Sequence, residues 1–243
     1  MFKNRKIFVI TLVLTIFVFT GCSGKMKVRE FFEKSKEAND KIHSLVLDDE
    51  TKNTTKESTS IQTLHAELIN NVNNKKIIKG KGYIRYKGKV NKGEVDYDVV
   101  FVGDSKKTLI KTTKVDGKEE KTEKQGSGYY VNPDYYKLLD GIYALKEKDL
   151  ELEEKNDEYH LNLKSGSKNL KVFEILKSQY KLNLTTVTEY EVDLKFEAVF
   201  DKKTFYLKSI VWSIEYNGKK GPFKIEDTTK YSEWNNTKVE GTK

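Results

Sequence analysis

The run Leu182 to Phe200 constrains this chain more than any other stretch. Its even positions read Leu182, Leu184, Thr186, Thr188, Tyr190, Val192, Leu194, Phe196, Ala198 and Phe200, while the odd ones carry Asn183, Thr185, Glu189, Glu191, Asp193, Lys195 and Glu197. A period of two puts one apolar face against a core and one polar face in water, the pattern of an antiparallel sheet covered on one side. At about 3.3 Å per residue an unbroken strand of this length would reach roughly 60 Å, so the spacing predicts a bend or break near Thr186.

The remaining segments supply more strands and a cover. Val28, Phe31, Phe32, Ala38, Ile42 and Leu45 fall on one stripe of a charged helix starting near Lys25. Asp48 to Ser60 has no apolar residue and reads either as a loop or as a solvent-exposed strand pair. Strands are predicted at Ile61–Asn70, Ile77–Val90, Glu94–Val102 and Thr108–Val115, with a hairpin at Asp116-Gly117. Gly80, Gly82 and Gly88 suggest bulges or bends, and Gly126–Val131 a short aromatic strand.

Asn132-Pro133 suits a helix start, with asparagine as N-cap and proline at the first helical position, leading into a greasy helix through Tyr135, Leu139 and Ile142. A third, short helix is predicted from Ser167, with Leu170, Phe173 and Leu176 on one face, and Glu158–Lys164 alternates like a strand. Asp201-Lys202-Lys203 and Asn217-Gly218 mark turns around a strand at Thr204–Tyr216, and a last strand begins near Phe223. The sum is an α+β chain, mostly β: a large curved antiparallel sheet with an N-terminal amphipathic helix and two short inserted helices. No repeat or domain break is visible.

Several function classes find no support. The formal charge is +8, but the excess is lysine interspersed with acids. Arg5, Arg29 and Arg85 are the only arginines, whereas nucleic-acid readers lean on bidentate arginine contacts. No nucleic-acid partner is expected. His43, His65 and His160 have no histidine or acid at ligand spacing, so no metal site or cofactor is expected. Ser127 in GSGYY lacks the second glycine of a nucleophile elbow. Glu153-Glu154, Glu119-Glu120 and Asp48-Asp49-Glu50 read as wet charge runs, and no paired-carboxylate constellation is visible. The chain reads as a non-enzyme and a monomer.

The front end points to a location. Lys3, Arg5 and Lys6 precede Ile7–Phe19, whose only polar members are Thr11 and Thr15. That is the n-region and h-region of a signal peptide, too short for a bilayer span of about 20 residues. Thr20, Gly21 and Cys22 follow, and Cys22 is the only cysteine. This end resembles the lipobox of bacterial lipoproteins, departing from the usual Leu at Phe19 and the usual Ser or Ala at Thr20. The resemblance implies cleavage between Gly21 and Cys22, with a diacylglycerol on the Cys22 sulfur and palmitate-type acyl chains. A thiolate is the natural nucleophile for such an attachment, and two chains anchor where one gives only marginal binding. Residues 1–21 then form the signal peptide, 22–26 a lipidated tether and 27–243 a single domain. With no further cysteine, no internal disulfide is available. The scarcity of proline, with Pro133 and Pro222 alone, and the wealth of lysine and asparagine suit a Gram-positive cell surface.

The layout of the domain resembles the LolA-like lipoprotein carriers, including the LppX and LprG group. The resemblance rests on the helix VREFFEKSKEANDKIHSL after the anchor, the central YYVNPDYYKLLDGI and the closing FEAVFDKKTFYLKSIVW. It implies a half-open barrel whose concave face shelters acyl chains or another apolar ligand, at the extracytoplasmic face of the cell membrane. Candidate liners are Tyr190, Val192, Leu194, Phe196 and Phe200, with Phe173 and the helix residues Tyr135, Leu139 and Ile142 as lid. The same residues also read as packed core. In that case the alternative is a surface interaction lipoprotein with a solid interior, such as a peptide-capturing immunity, sensor or accessory protein.

Overall fold

The computed structural model describes residues 25–90, 93–104, 107–114, 119–125, 130–164, 168–184, 187–218 and 221–239. The expected signal peptide and the Gly21 and Cys22 processing site lie outside the described residues. Among those described, no helix is long and apolar enough to cross a membrane.

Eleven strands form one antiparallel sheet, curved and unclosed, a half-open barrel. In chain order they are β1 (Ser44–Thr55), β2 (Thr59–Asn71), β3 (Lys76–Val90), β4 (Gly93–Asp104), β5 (Lys107–Lys114), β6 (Glu119–Gln125), β7 (Leu150–Lys155), β8 (Glu158–Leu163), β9 (Asp193–Asp201), β10 (Leu207–Gly218) and β11 (Gly221–Ser232). The spatial order is β6-β5-β4-β3-β2-β1-β11-β10-β9-β8-β7. Every neighbour in the sheet is also a neighbour in sequence except one pair, β1 with β11. The chain therefore leaves β6 at one edge and re-enters as β7 at the other, and α2 (Tyr135–Tyr143) lies on that crossing.

Three helices pack on the inner face. α1 (Val28–Asn39) carries two exposed i,i+4 ion pairs, Arg29–Glu33 and Glu30–Lys34, and a third, Glu37–Lys41, reaches the turn after it. Its Phe31 ring sits edge-on to Phe200 of β9 at 4.9 Å and 5.4 Å from Tyr159 of β8. Tyr135 of α2 meets Tyr231 of β11 at 5.0 Å. α3 (Leu170–Gln179) packs on α2 where Gly141 faces Ile175, so closely that a methyl group at Gly141 would lie 2.9 Å from that side chain.

Several expectations shift. The first helix stops at Asn39, and Ile42 and Leu45, both fully buried, belong to the turn and to β1. The cause is Asn39 itself. Its amide donates to Ser35 O at 2.7 Å and Phe205 O at 2.8 Å, while its carbonyl accepts from Tyr135 O–H and from Leu207 N–H at 3.1 Å. Asp48–Ser60 is the strand pair of the two readings: the arms of the β1–β2 hairpin, turned where Thr55 Oγ1 accepts from Glu57 and Ser58 N–H. The bulge in β3 lies at Ile78, between the Ile69–Lys79 and Asn70–Ile77 pairs, and not at the glycines.

The greasy helix is capped by Asp134, whose side chain accepts from Lys137 N–H, two residues after the expected cap Asn132. The third helix starts at Leu170 rather than Ser167, because Asn169 Oδ1 accepts from Val172 N–H. Tyr130 and Val131 are not strand, and the rest of Gly126–Val131 lies outside the described residues. The polar edge strand β6 is the second arm of the hairpin expected at Asp116-Gly117, whose turn lies outside the described residues, and β7 is not among the predicted strands. Among the described residues of the run Leu182–Phe200, the strand begins at Asp193, and the break expected near Thr186 lies outside the described residues. A turn precedes the strand, in which Glu191 Oε2 accepts from Thr188 N–H and Oγ1–H at 2.8 Å each.

Asn39 joins α1, α2 and β10 through groups that have no water to fall back on. Replacing it by leucine keeps the volume but strands Leu207 N–H and Tyr135 O–H, and each buried orphan costs about 1–3 kcal/mol. Urea unfolding of Asn39→Leu is expected to show a loss of about 3 kcal/mol or more. A loss below about 1 kcal/mol would show the junction to be dispensable.

Candidate functional site

The inner face of the sheet divides into a packed part and an open part. Under the helices lie eight of the nine residues proposed from sequence: Val192, Leu194, Phe196 and Phe200 around β9, Phe173 of α3, and Tyr135, Leu139 and Ile142 of α2. All are at most 9% exposed and belong to one core with Leu47, Trp212 and Ile214. Tyr190 is the exception. It sits in the turn before β9 and is 74% exposed.

Burial fades across β3 and β4. The inner-face register aligns Leu64 with Ile84 and Ile84 with Val99, and one step further Ala66 with Gly82 and Gly82 with Phe101. Leu64 and Phe101 are buried, whereas Ile84, Tyr86 and Val99 are only partly so. Gly80 pairs with Gly103 beside them, a floor of glycines that is itself buried. Gly82 is required there by contact, since a Cβ would stand 1.9 Å from His65 O and 2.8 Å from the Phe101 ring. Sequence reasoning passed over this patch. The signal was present as glycines alternating in phase with Ile84.

A polar cluster lies in the middle of the same face. Asp49 and Thr51 of β1 face Thr229 and Asp227 of β11. Asp49 is 6% and Asp227 2% exposed, so the acid read as part of a wet run points inward. Thr229 Oγ1–H donates to Asp49 Oδ1 at 2.7 Å and Thr51 Oγ1–H to Asp227 Oδ2 at 2.8 Å. Burial is the main cause that pushes the Asp49 carboxyl up to about 6 and, with the Asp49 charge beside it, Asp227 up to about 8. This is a paired carboxylate that no local motif announces. Its partners are 178 positions apart in the numbering and meet only through the β1–β11 register.

The histidines also acquire acidic partners across strands, on the outer face. His65 Nδ1 lies 2.7 Å from Asp48 Oδ1, with its ring stacked on Tyr83, and Arg85 covers the Tyr83 ring at 4.3 Å. His160 Nδ1 lies 2.7 Å from Glu197 Oε1. Glu153 and Glu154 pair with Lys155 and Lys202. No group of three or more metal-ligating side chains occurs among the described residues. An open groove of about 580 Å³ runs past the ends of β1, β9, β10 and β11, lined by Glu191, Asp193, Glu215, Tyr216, Phe223 and Lys224 among others. It contains none of the proposed liners.

No protein-family model matches the chain, and no curated protein matches it. Among solved structures, a DUF1329 family protein from Desulfovibrio piger is similar at 9% identity and a TM-score of 0.24, over 84% of this chain and 91% of that one. A porin-like protein from Bacteroides uniformis is similar at 8% identity and a TM-score of 0.23, over 79% of this chain and 96% of that one.

The glycine floor makes a contrast that can be measured. Gly82→Ala drives a methyl group into backbone and is expected to cost about 2–3 kcal/mol in urea unfolding, as overpacking does. Gly218→Ala meets only the flexible Tyr216 ring at 3.3 Å and is expected to cost less than about 1 kcal/mol. Equal costs would remove the close-approach role of Gly82.

Proposed function

We propose that this chain is a lipid-anchored, extracytoplasmic protein that holds an apolar ligand, such as an acyl chain, on the open part of its inner face and catalyses no reaction. The observation that carries this reading is the partly buried Ile84–Val99 pair with Tyr86, on a concave surface beside a floor of glycines. Such a surface offers apolar side chains to a linear apolar group, and pockets of this kind are apolar and concave. The predicted lipid on Cys22 would hold the domain at the membrane from which the ligand comes.

Full-length protein extracted from its native membrane and examined by native mass spectrometry is expected to carry lipid. The double variant Ile84→Glu, Val99→Asp is expected to lose it, with occupancy falling about tenfold or more because charge is placed against buried hydrocarbon, while its thermal midpoint changes little. A wild type without lipid, or a variant that keeps it, would overturn the reading. Independently, Cys22→Ser is expected to move the protein from the membrane to the soluble fraction.

A specific observation favours the alternative, a surface protein with a solid core that captures a peptide. Eight predicted liners are buried in the core, and the groove at the strand ends presents Glu191 and Asp193, with Glu215 paired to Lys224 at 3.0 Å. These would suit a cationic peptide. Under this reading a deletion strain is sensitised to such peptides with unchanged lipid composition.

A further inference from the structure

The centre of the sheet holds more acid than the surrounding hydroxyls can satisfy. Thr51 and Thr229 have one hydroxyl hydrogen each, and their good bonds go to Asp227 Oδ2 and Asp49 Oδ1. The remaining contacts are longer, 3.1 Å from Thr229 to Asp227 Oδ1 and 3.5 Å from Thr51 to Asp49 Oδ2. The Thr229 hydroxyl thus stands between the two carboxyls, which lie side by side with too few donors to satisfy both. No lysine, arginine or histidine among the described residues pairs with either. Because the Thr229 hydrogen goes to Asp49, the 2.8 Å bond between Thr229 Oγ1 and Tyr180 is donated by the tyrosine. Tyr180 is the residue that ends α3.

We propose that Asp49 and Asp227 hold one proton between them and act as a pH-sensitive latch, which fastens the C-terminal end of α3 to the middle of the sheet through Thr229 and Tyr180. Two buried carboxylates in contact cannot both ionise without strong repulsion. Nothing around the pair relieves that. β2 and β10 present Leu64, Gln62, Ile210 and Trp212, none titratable. Glu50 of β1, exposed on the opposite face, adds negative charge. Tyr231 of β11, Tyr180 after α3, and Asp134 and Tyr135 at the start of α2 bring no cation.

A second, independent observation gives the latch its other position. The Trp212 indole N–H and the Tyr231 O–H are buried without hydrogen-bond partners among the described residues. Trp212 is the cross-strand partner of Asp227, and Tyr231 follows Thr229 by two on the same face. A second carboxylate charge can recruit these idle donors. Doing so moves Trp212 away from Tyr180, whose ring it now meets edge-on at 4.9 Å, and releases α3 from the sheet. The latch is independent of which ligand the inner face takes.

The sign follows from linkage. The closed protein keeps a proton that an opened or unfolded chain gives up near pH 4. The latch is therefore complete below about pH 4, and its contribution is lost as pH rises through about 8, where the shared proton leaves the closed pair. Amide hydrogen exchange of the full mature chain, corrected for the intrinsic effect of pH, tests this. Opening of α3 (Leu170–Gln179) is expected to increase at least tenfold from pH 5 to pH 8 and to level off above, with α1 unchanged. Asp227→Asn and Tyr180→Phe are both expected to make α3 opening independent of pH. A flat wild-type profile, or α1 and α3 rising in parallel, would overturn the proposal without recourse to any variant. So would an Asp227→Asn or Asp49→Asn protein that keeps the wild-type slope.

Discussion

The pairing of β1 with β11 is the constraint on which the rest of this fold depends. All other strand pairs join segments adjacent in the chain, and local hairpins form at small loop-closure cost. β1 and β11 are near opposite ends of the chain and run in register from Val46–Ser232 to Thr55–Phe223. Without that seam the two meanders, β1–β6 and β7–β11, are separate sheets, each with an apolar face too large for the helices available. With it, they become one surface that three short helices can partly cover.

The seam also explains why the helices sit where they do. The crossing from the β6 edge to the β7 edge carries α2 over the inner face, and the Asn39 junction holds α1 to α2 and to the start of β10. α3 closes on α2 through Gly141 and on the sheet through Tyr180. Cover is therefore concentrated over the seam and the C-terminal meander. The partly buried patch on β3 and β4 is what three helices cannot reach, so the candidate binding surface is a consequence of connectivity.

Polar chemistry is concentrated at the same seam. A sheet centre built from Asp49, Thr51, Asp227 and Thr229 gives up apolar contact in the place where burial is deepest, and buried polar groups survive only when satisfied. Here satisfaction comes from two threonines, one tyrosine and a proton, while an indole and a phenol stay unpartnered. Such an arrangement trades stability for responsiveness. The outer face is managed in the ordinary way, with His65 and His160 bonded to Asp48 and Glu197 on neighbouring strands and Glu153 and Glu154 paired with Lys155 and Lys202.

Period-two alternation by itself determined the sheet, its antiparallel sense and most strand positions, and the apolar stripe from Val28 determined α1. These follow from local geometry, because side chains alternate across a strand whatever the strand pairs with. Helix starts erred by two or three residues where Asp134 and Asn169 act as the caps, and the strand expected through Leu182–Phe200 begins only after the Thr188–Glu191 turn. What only the tertiary structure decided was which alternating faces meet. Asp49 reads as part of a wet acidic run until the β1–β11 register sets it against Thr229, and Val192 to Phe200 read equally as cavity or core until the helices pack on them. Register and cover depend on contacts between segments far apart in the chain, and no local pattern encodes them.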